Sequence, residues 1–165
     1  LFSAGAVISI DNIPVATARI VFNTDFTLPC LQHTNSEILK NFLDENPKSC
    51  EISRFLISKS FRNSNNYQLR EYKYSSILLF LYVAIFSLCE FYDLKHMVFL
   101  CEKKLIKKLK AFGIPVQLLD EKSYFLHVDR YICLIEQNDL INVMGKQELT
   151  PLKLGISKGL EALKK

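Results

Sequence analysis

Residues Cys50–Arg62 read CEISRFLISKSFR, and the fold turns on how this stretch is paired. Cys50 to Ser58 is an apolar run of strand length, bounded by Pro47 before it and by a basic, polar segment after it. Near its start stand a carboxylate, Glu51, and a guanidinium, Arg54. Successive side chains of a strand point to opposite faces, so residues three apart diverge. Glu51 and Arg54 can serve one site only if the strand holds an extra residue between them, so a bulge near Ser53 to Phe55 is expected. The alternative is that each charge ties the sheet to a neighbouring helix as an ion pair.

Toward the N-terminus, Ala4 to Ile10 and Pro14 to Phe22 are strand-like runs around Asp11-Asn12, which predicts a hairpin. Asn12 tolerates the positive φ that such a turn needs. In the second run Ala16, Ala18 and Ile20 share one face and Thr17, Arg19 and Val21 the other. Arg19 thus stands among apolar neighbours, either snorkelling to water or facing a site. Between this hairpin and the opening stretch, Ser36 to Leu43 reads as a short helix capped by Asn35 or Ser36, inside a long polar connection suited to walling a pocket.

Toward the C-terminus, Lys59 to Ser75 reads as a loop with Lys59, Arg62, Arg70 and Lys73 interleaved with tyrosines. Ser75 and Ser76 then cap a helix through about Leu94 that is apolar nearly all round, hence buried. His96–Cys101 reads as a short buried strand and Glu102–Phe112 as a helix with a lysine-rich outer face, ended by Gly113 and Pro115. Val116–Leu119, Tyr124–Leu126 and Tyr131–Ile135 read as strands, and 148–165 as an amphipathic C-terminal helix or tail. A hairpin followed by alternating strands and helices is an α/β sandwich around a mixed sheet, built as one domain over 1–165.

The bulk chemistry narrows the partners. A net charge of +4 is too small and dispersed to point to nucleic acid, and an acidic protein partner stays open. The five cysteines include no C-x-x-C pair, so they read as reduced, buried residues of a cytoplasmic protein. His33, His96 and His127 have no metal-ligand spacing, so no metal is expected. The longest apolar run, Ile77–Cys89, is shorter than the ~20 residues of a membrane span, so no transmembrane segment is expected.

Glu51-Ile52-Ser53-Arg54-Phe55 resembles the E-x-S-R-F signature of the acyl-homoserine-lactone (autoinducer) synthases. It is also similar to that of N-acyl amino acid synthases and of acyltransferases associated with PEP-CTERM/exosortase systems. Val15–Ile20, VATARI, resembles the family's G-T-A-R-L strand, with Leu28-Pro29 following at a similar distance. Ala111–Val116 and Tyr124–Arg130 resemble the exosortase-associated branch. The resemblance implies the GNAT (N-acetyltransferase-like) fold, an α/β/α sandwich around a mixed, mostly antiparallel sheet. Ala16 and Val128-Asp129 stand where the family has glycine, and the family's leading strand and helices have no counterpart before the hairpin.

The resemblance implies transfer of a fatty acyl group from a thioester to an amine. Glu51 would orient or deprotonate the acceptor, an amino acid or an S-adenosylmethionine-type amine, as in quorum-sensing signal synthesis. Arg19 and Arg54, with Ser53 and Phe55 beside them, would hold the acceptor. Ile57, Ser58, Lys59, Arg62 and Asn63 would hold the donor's phosphopantetheine. No tightly bound cofactor is implied; the donor is a substrate, acyl carrier protein (ACP) or acyl-CoA. Ser60–Tyr67, SFRNSNNY, lacks the glycines with which ordinary coenzyme A-dependent members cradle a diphosphate, which favours the carrier and its single phosphate. Phe55, Phe80, Tyr82, Phe86, Phe99 and Phe125 are candidates for an acyl slot or simply for the core. Two other readings stand: a non-catalytic or truncated binding module of the same fold, and an ordinary acetyl-CoA-dependent acetyltransferase.

Overall fold

The computed structural model describes residues 3–24, 28–59, 61, 74–125 and 128–144. Strands β1 (Ser3–Ile10) and β2 (Ile13–Phe22) form the expected hairpin. Its two turn residues, Asp11 and Asn12, take φ of 49° and 64°. Two successive positive φ values define the turn whose twist matches that of paired strands. Two short helices follow: α1 (Pro29–Gln32), which the sequence pattern had not indicated, and α2 (Glu37–Glu45). Ser36 caps α2 by accepting from the Leu39 N–H at 3.0 Å.

Strand β3 (Ser49–Ile57) is the opening stretch, and helix α3 (Tyr74–Phe91) is the long apolar one. Ser75 and Ser76 lie inside its first turn rather than ahead of it. It stops short of Leu94 because Asp93 turns left-handed at φ 54°. Strand β4 (His96–Cys101) and helix α4 (Lys103–Ala111) match their expected spans, with Gly113 at φ 76° ending the helix. Val116–Leu119 and Tyr124–Leu126 are not separate strands. One strand, β5 (Gln117–Phe125), runs through the polar residues between them, with irregular pairing around Asp120. It tolerates them because, among the described residues, it is an edge strand, paired on one side only. Strand β6 (Val128–Glu136) completes the sheet, and α5 (Gln137–Met144) follows, a helix the pattern did not reveal. Residues 148–165 and Arg62–Lys73 lie outside the described residues.

Among the described residues the sheet has six strands in the order β1-β2-β3-β4-β6-β5. All neighbours are antiparallel except β3 and β4. Alternation sorts the side chains into two layers. One face carries Ala18, Ile20, Cys50, Ile52, Met97 and Phe99, packed with α3, α4 and α5 through Leu81, Phe86, Leu109 and Leu140. The opposite face carries Val21, Val98, Ile132 and Leu134, covered by Leu28, Cys30, Leu39 and Leu43 of the α1–α2 segment. The five cysteines are buried and reduced, with Cys50 and Cys89 sulfurs 3.8 Å apart and those of Cys101 and Cys133 3.6 Å apart. No helix of the described residues is long and apolar enough to cross a membrane.

Two irregularities of β3 give the molecule its site. Thr17 pairs with Leu56 and Arg19 with Ser53, so Ala18 alone stands opposite both Arg54 and Phe55. Arg54 takes φ 50° to make this fit. This is the bulge that the spacing of Glu51 and Arg54 predicts. Secondly, β3 pairs with β4 only over Ser49–Glu51, and the last rung is Glu51 opposite Val98. Past that rung the two strands are no longer paired, which leaves a gap in the sheet.

Candidate functional site

Glu51 sits at the rung where the sheet stops being paired. Its neighbours in register are Val21 and Val98, which places its side chain on the α1–α2 face. It is only 6% exposed, and its Oε2 accepts the Cys30 N–H at 2.6 Å. The long connection after β2 is therefore folded over the sheet, with the first turn of α1 donating to the carboxylate. Burial raises the Glu51 pKa above the ordinary carboxylate value. The Cys30 N–H, the Cys30 thiol and the charges of Arg19 and His33 oppose that rise without cancelling it. A carboxyl so placed holds a proton more readily than a surface one, as a proton acceptor in transfer chemistry must.

Arg19 is opposite Ser53 on the same face as Glu51, and its Nε donates to Ser53 Oγ at 3.0 Å. The residue is half-buried, and its charge acts on the Glu51 carboxylate. Beyond it, Val7, Thr17 and Leu56 form the next row of the same face, and Val7 and Leu56 are 65% and 60% exposed. The face thus grades from a buried carboxylate, through Ser53 and Arg19, to open sheet. Arg54 is exposed at the bulge, and Phe55 turns to the other face, where its ring lies 4.9 Å from that of Tyr82.

On that other face, a cavity of about 380 Å³ opens beside the unpaired part of β3. Phe55, Ile57, Leu78 and Leu105 supply apolar walls, while Lys104, Lys108, Arg130 and Glu102 supply charge. Ser58 donates its N–H to Val15 O at 2.8 Å. Alternation along β3 therefore directs the N–H and C=O of Ile57 away from β2, toward the gap. Ser58 has its N–H engaged, Lys59 is exposed, and Arg62 and Asn63 lie outside the described residues. Of the aromatic candidates for an acyl slot, Tyr82, Phe86 and Phe99 are core residues and Phe55 lines the cavity. The side chain of Phe125 is outside the described set.

The sequence reading did not single out Cys30, His33 or Arg130 as site residues. The Cys30 N–H and the His33 ring act on Glu51 from a segment with no periodicity to betray its position. Arg130 reaches the cavity from β6. A second depression of about 490 Å³ lies over the α1–α2 segment, lined by Asn23, Thr34, Asn35, Lys40 and Asp44 among others. It shares Leu28 with the layer that covers Glu51. Among the described residues no cluster of histidine, cysteine, aspartate or glutamate is arranged to hold a metal.

No protein-family model matches the sequence, and no curated protein matches it. Solved structures do match the fold. The AHL synthase LasI superposes with a TM-score of 0.66 at 20% identity, over 86% of this chain and 68% of that one. FeeM, an N-acyl amino acid synthase from uncultured soil microbes, superposes with a TM-score of 0.65 at 9% identity, over 84% of this chain and 74% of that one. The CoA-dependent acyl-homoserine lactone synthase BjaI, with MTA, gives 0.61 at 12% identity, over 88% of this chain and 64% of that one. This chain has the GNAT-like fold of those proteins, and it spans about two thirds of the length of LasI and BjaI.

Proposed function

We propose that this protein is an N-acyltransferase that moves an acyl group from a thioester to the amine of a small acceptor. One observation carries the proposal: the buried carboxylate of Glu51 stands on one face of the sheet at the last paired rung, and a cavity opens on the other face just past it. Two reactants can approach such a gap from opposite sides and meet within it, which supplies the proximity that acyl transfer needs.

In this reading the acceptor lies on the open face beside Arg19 and Ser53, with Arg54 at the bulge. An arginine's planar fork suits a carboxylate of an amino acid or of an S-adenosylmethionine-type acceptor. Glu51 takes a proton from the amine. The freed nitrogen attacks the thioester carbonyl, the C–N bond forms, the C–S bond breaks, and the thiolate leaves and is protonated. The donor's pantetheine lies along the unpaired edge of β3, where Ile57 offers backbone groups, and Phe55 borders the acyl chain. Ser58 and Lys59 follow at the mouth of that path, and Arg62 and Asn63 stay donor-binding candidates on sequence alone.

The donor we favour is an acyl carrier protein, in a cytoplasmic setting. The glycine-free run Ser60–Tyr67 supports it, as do the exposed lysines of α4, because carriers of this kind are acidic. Acyl-CoA is the other donor. An open cavity beside the gap favours transfer chemistry over a non-catalytic binding module, whose crevice would be filled by side chains. Purified protein given matched acyl-carrier and acyl-CoA donors with a panel of amines tests this through thiol release. Amine-dependent release is expected, faster with the carrier and slowed by salt. Release that ignores both amine and salt would contradict the reading.

A further inference from the structure

Arg130 has more hydrogen-bonding capacity than its surroundings use. It lies on β6 opposite Ser123, one residue before the Tyr131–Cys101 rung that ends the ladder with β4. At that level β4 has given way to the start of α4, so among the described residues no strand covers it on that side. Its side chain is 27% exposed, yet its Nε is shielded from solvent and has no hydrogen-bond partner among the described residues. Among the described residues its ionic contact is Nη2 to Glu102 Oε1 at 3.4 Å, a loose, one-point contact. A guanidinium can donate five hydrogen bonds and pairs best in a two-point geometry. A buried donor left unpaired is a cost that native structures rarely keep without reason.

Arg130 also lines the 380 Å³ cavity, with Lys104 and Lys108 of α4. Among the described residues the lining therefore holds three cations and one carboxylate, Glu102, and its apolar walls include Phe55, Ile57, Leu78 and Leu105. Glu102 is the N-cap residue of α4 but makes no side-chain capping bond, so its carboxylate is available to Arg130. An alkyl arm ending in an anion matches such a lining. A neutral arm would leave the Arg130 Nε unanswered, and a bare anion would leave the apolar walls wet.

We propose that Arg130, supported by Lys104 and Lys108, is the anchor for a phosphate on the donor's pantetheine arm, and that Glu102 holds Arg130 in place until the phosphate arrives. This rests on the acyl-transfer reading above and adds a residue to it. It places the anion on the β6–α4 side of the gap. The same phosphate chemistry is offered by a carrier's 4′-phosphopantetheine and by coenzyme A.

Isothermal titration of the whole chain with pantetheine, 4′-phosphopantetheine and coenzyme A at low salt tests the anchor. The phosphate is expected to tighten binding by about tenfold or more over pantetheine, the usual effect of a charged hydrogen bond. Arg130→Gln is expected to remove most of that increment while leaving pantetheine binding in place. Lys104→Gln/Lys108→Gln, at two exposed positions whose loss does not threaten the fold, is expected to reduce it severalfold, and it carries the test if Arg130→Gln does not fold. Equal increments for 4′-phosphopantetheine and coenzyme A assign the anchor to the shared phosphate. An increment seen with coenzyme A alone assigns it to the nucleotide's own phosphates. A wild type that binds pantetheine with no phosphate increment, or an increment untouched by the substitutions, overturns the anchor and leaves the acyl-transfer reading standing. A wild type that binds none of the three and releases no thiol from acyl donors overturns both.

Discussion

Replacing Glu51 by Gln separates its chemistry from its place in the fold. The carboxylate is 6% exposed and accepts one main-chain N–H, from Cys30 at 2.6 Å. A glutamine oxygen can keep that bond, whereas alanine leaves a buried N–H without an acceptor, a loss of about 1–3 kcal/mol before any cavity term. The pH dependence has a definite sign. Burial lifts the Glu51 pKa in the folded protein above its ordinary value, and this outweighs the opposing pull of Cys30, Arg19 and His33. The folded state therefore binds the proton more tightly than the unfolded chain does. That contribution to stability is fully present below the ordinary carboxylate value and is lost as pH rises through the folded pKa. Each tenfold gain in proton affinity corresponds to about 1.4 kcal/mol. Glutamine does not titrate, so the wild type should lose stability relative to Glu51→Gln as pH rises from about 4 to 8, the range that brackets an ordinary carboxylate. Urea denaturation of wild type, Glu51→Gln and Glu51→Ala across that range measures it. The expected order at pH 8 is Gln at least as stable as Glu, and Ala least stable. A wild type that gains on Glu51→Gln as pH rises would refute the reasoning. It would mean that the attraction of Arg19 and His33 exceeds the cost of burial. In acyl transfer Glu51→Gln should lower the rate about 10²–10⁴-fold, the usual worth of a positioned base.

Arg54 holds a left-handed backbone at φ 50°, which costs a non-glycine residue about 1–2 kcal/mol. Arg54→Gly should therefore leave stability unchanged or slightly raised while impairing acceptor binding, and Arg54→Val should destabilise; denaturation midpoints and KM for the acceptor check both. Arg19→Met should raise the acceptor KM more than it lowers stability, because Ser53 can rotate its hydroxyl to another partner; steady-state kinetics beside a thermal melt will show it. Phe86→Ala, at a fully buried position of α3, serves as the structural control, with a loss of about 3–5 kcal/mol by chemical denaturation.

Much of the fold is written locally. The Asp11-Asn12 turn, the apolar runs of β1 to β4, the all-round apolar face of α3 and the Gly113 stop of α4 each follow from short-range pattern. The bulge was legible too, because Glu51 and Arg54 are three apart and a regular strand would separate them. What sequence pattern did not reveal depends on contacts far along the chain. The Cys30 N–H reaches Glu51 across 21 positions from a segment with no periodicity. Arg130 meets Glu102 only because β6 runs beside β4. β5 crosses a polar run that reads as a break, because an edge strand can bulge around it. Helix α5 is only eight residues long, too short for its four apolar residues to set a helical period. Conversely, Arg54 and the lysines of α4 were evident as charges, but only the paired length of β3 and β4 shows where the sheet opens.

The most direct measurement is mass spectrometry of lipid extracts from cells producing the wild-type chain and, in parallel, its Glu51→Gln variant. A new N-acyl amine is expected with the wild type and strongly diminished with Glu51→Gln at equal levels of folded protein. No new N-acyl product in the wild type, or the same profile from both proteins, would contradict acyl transfer at Glu51.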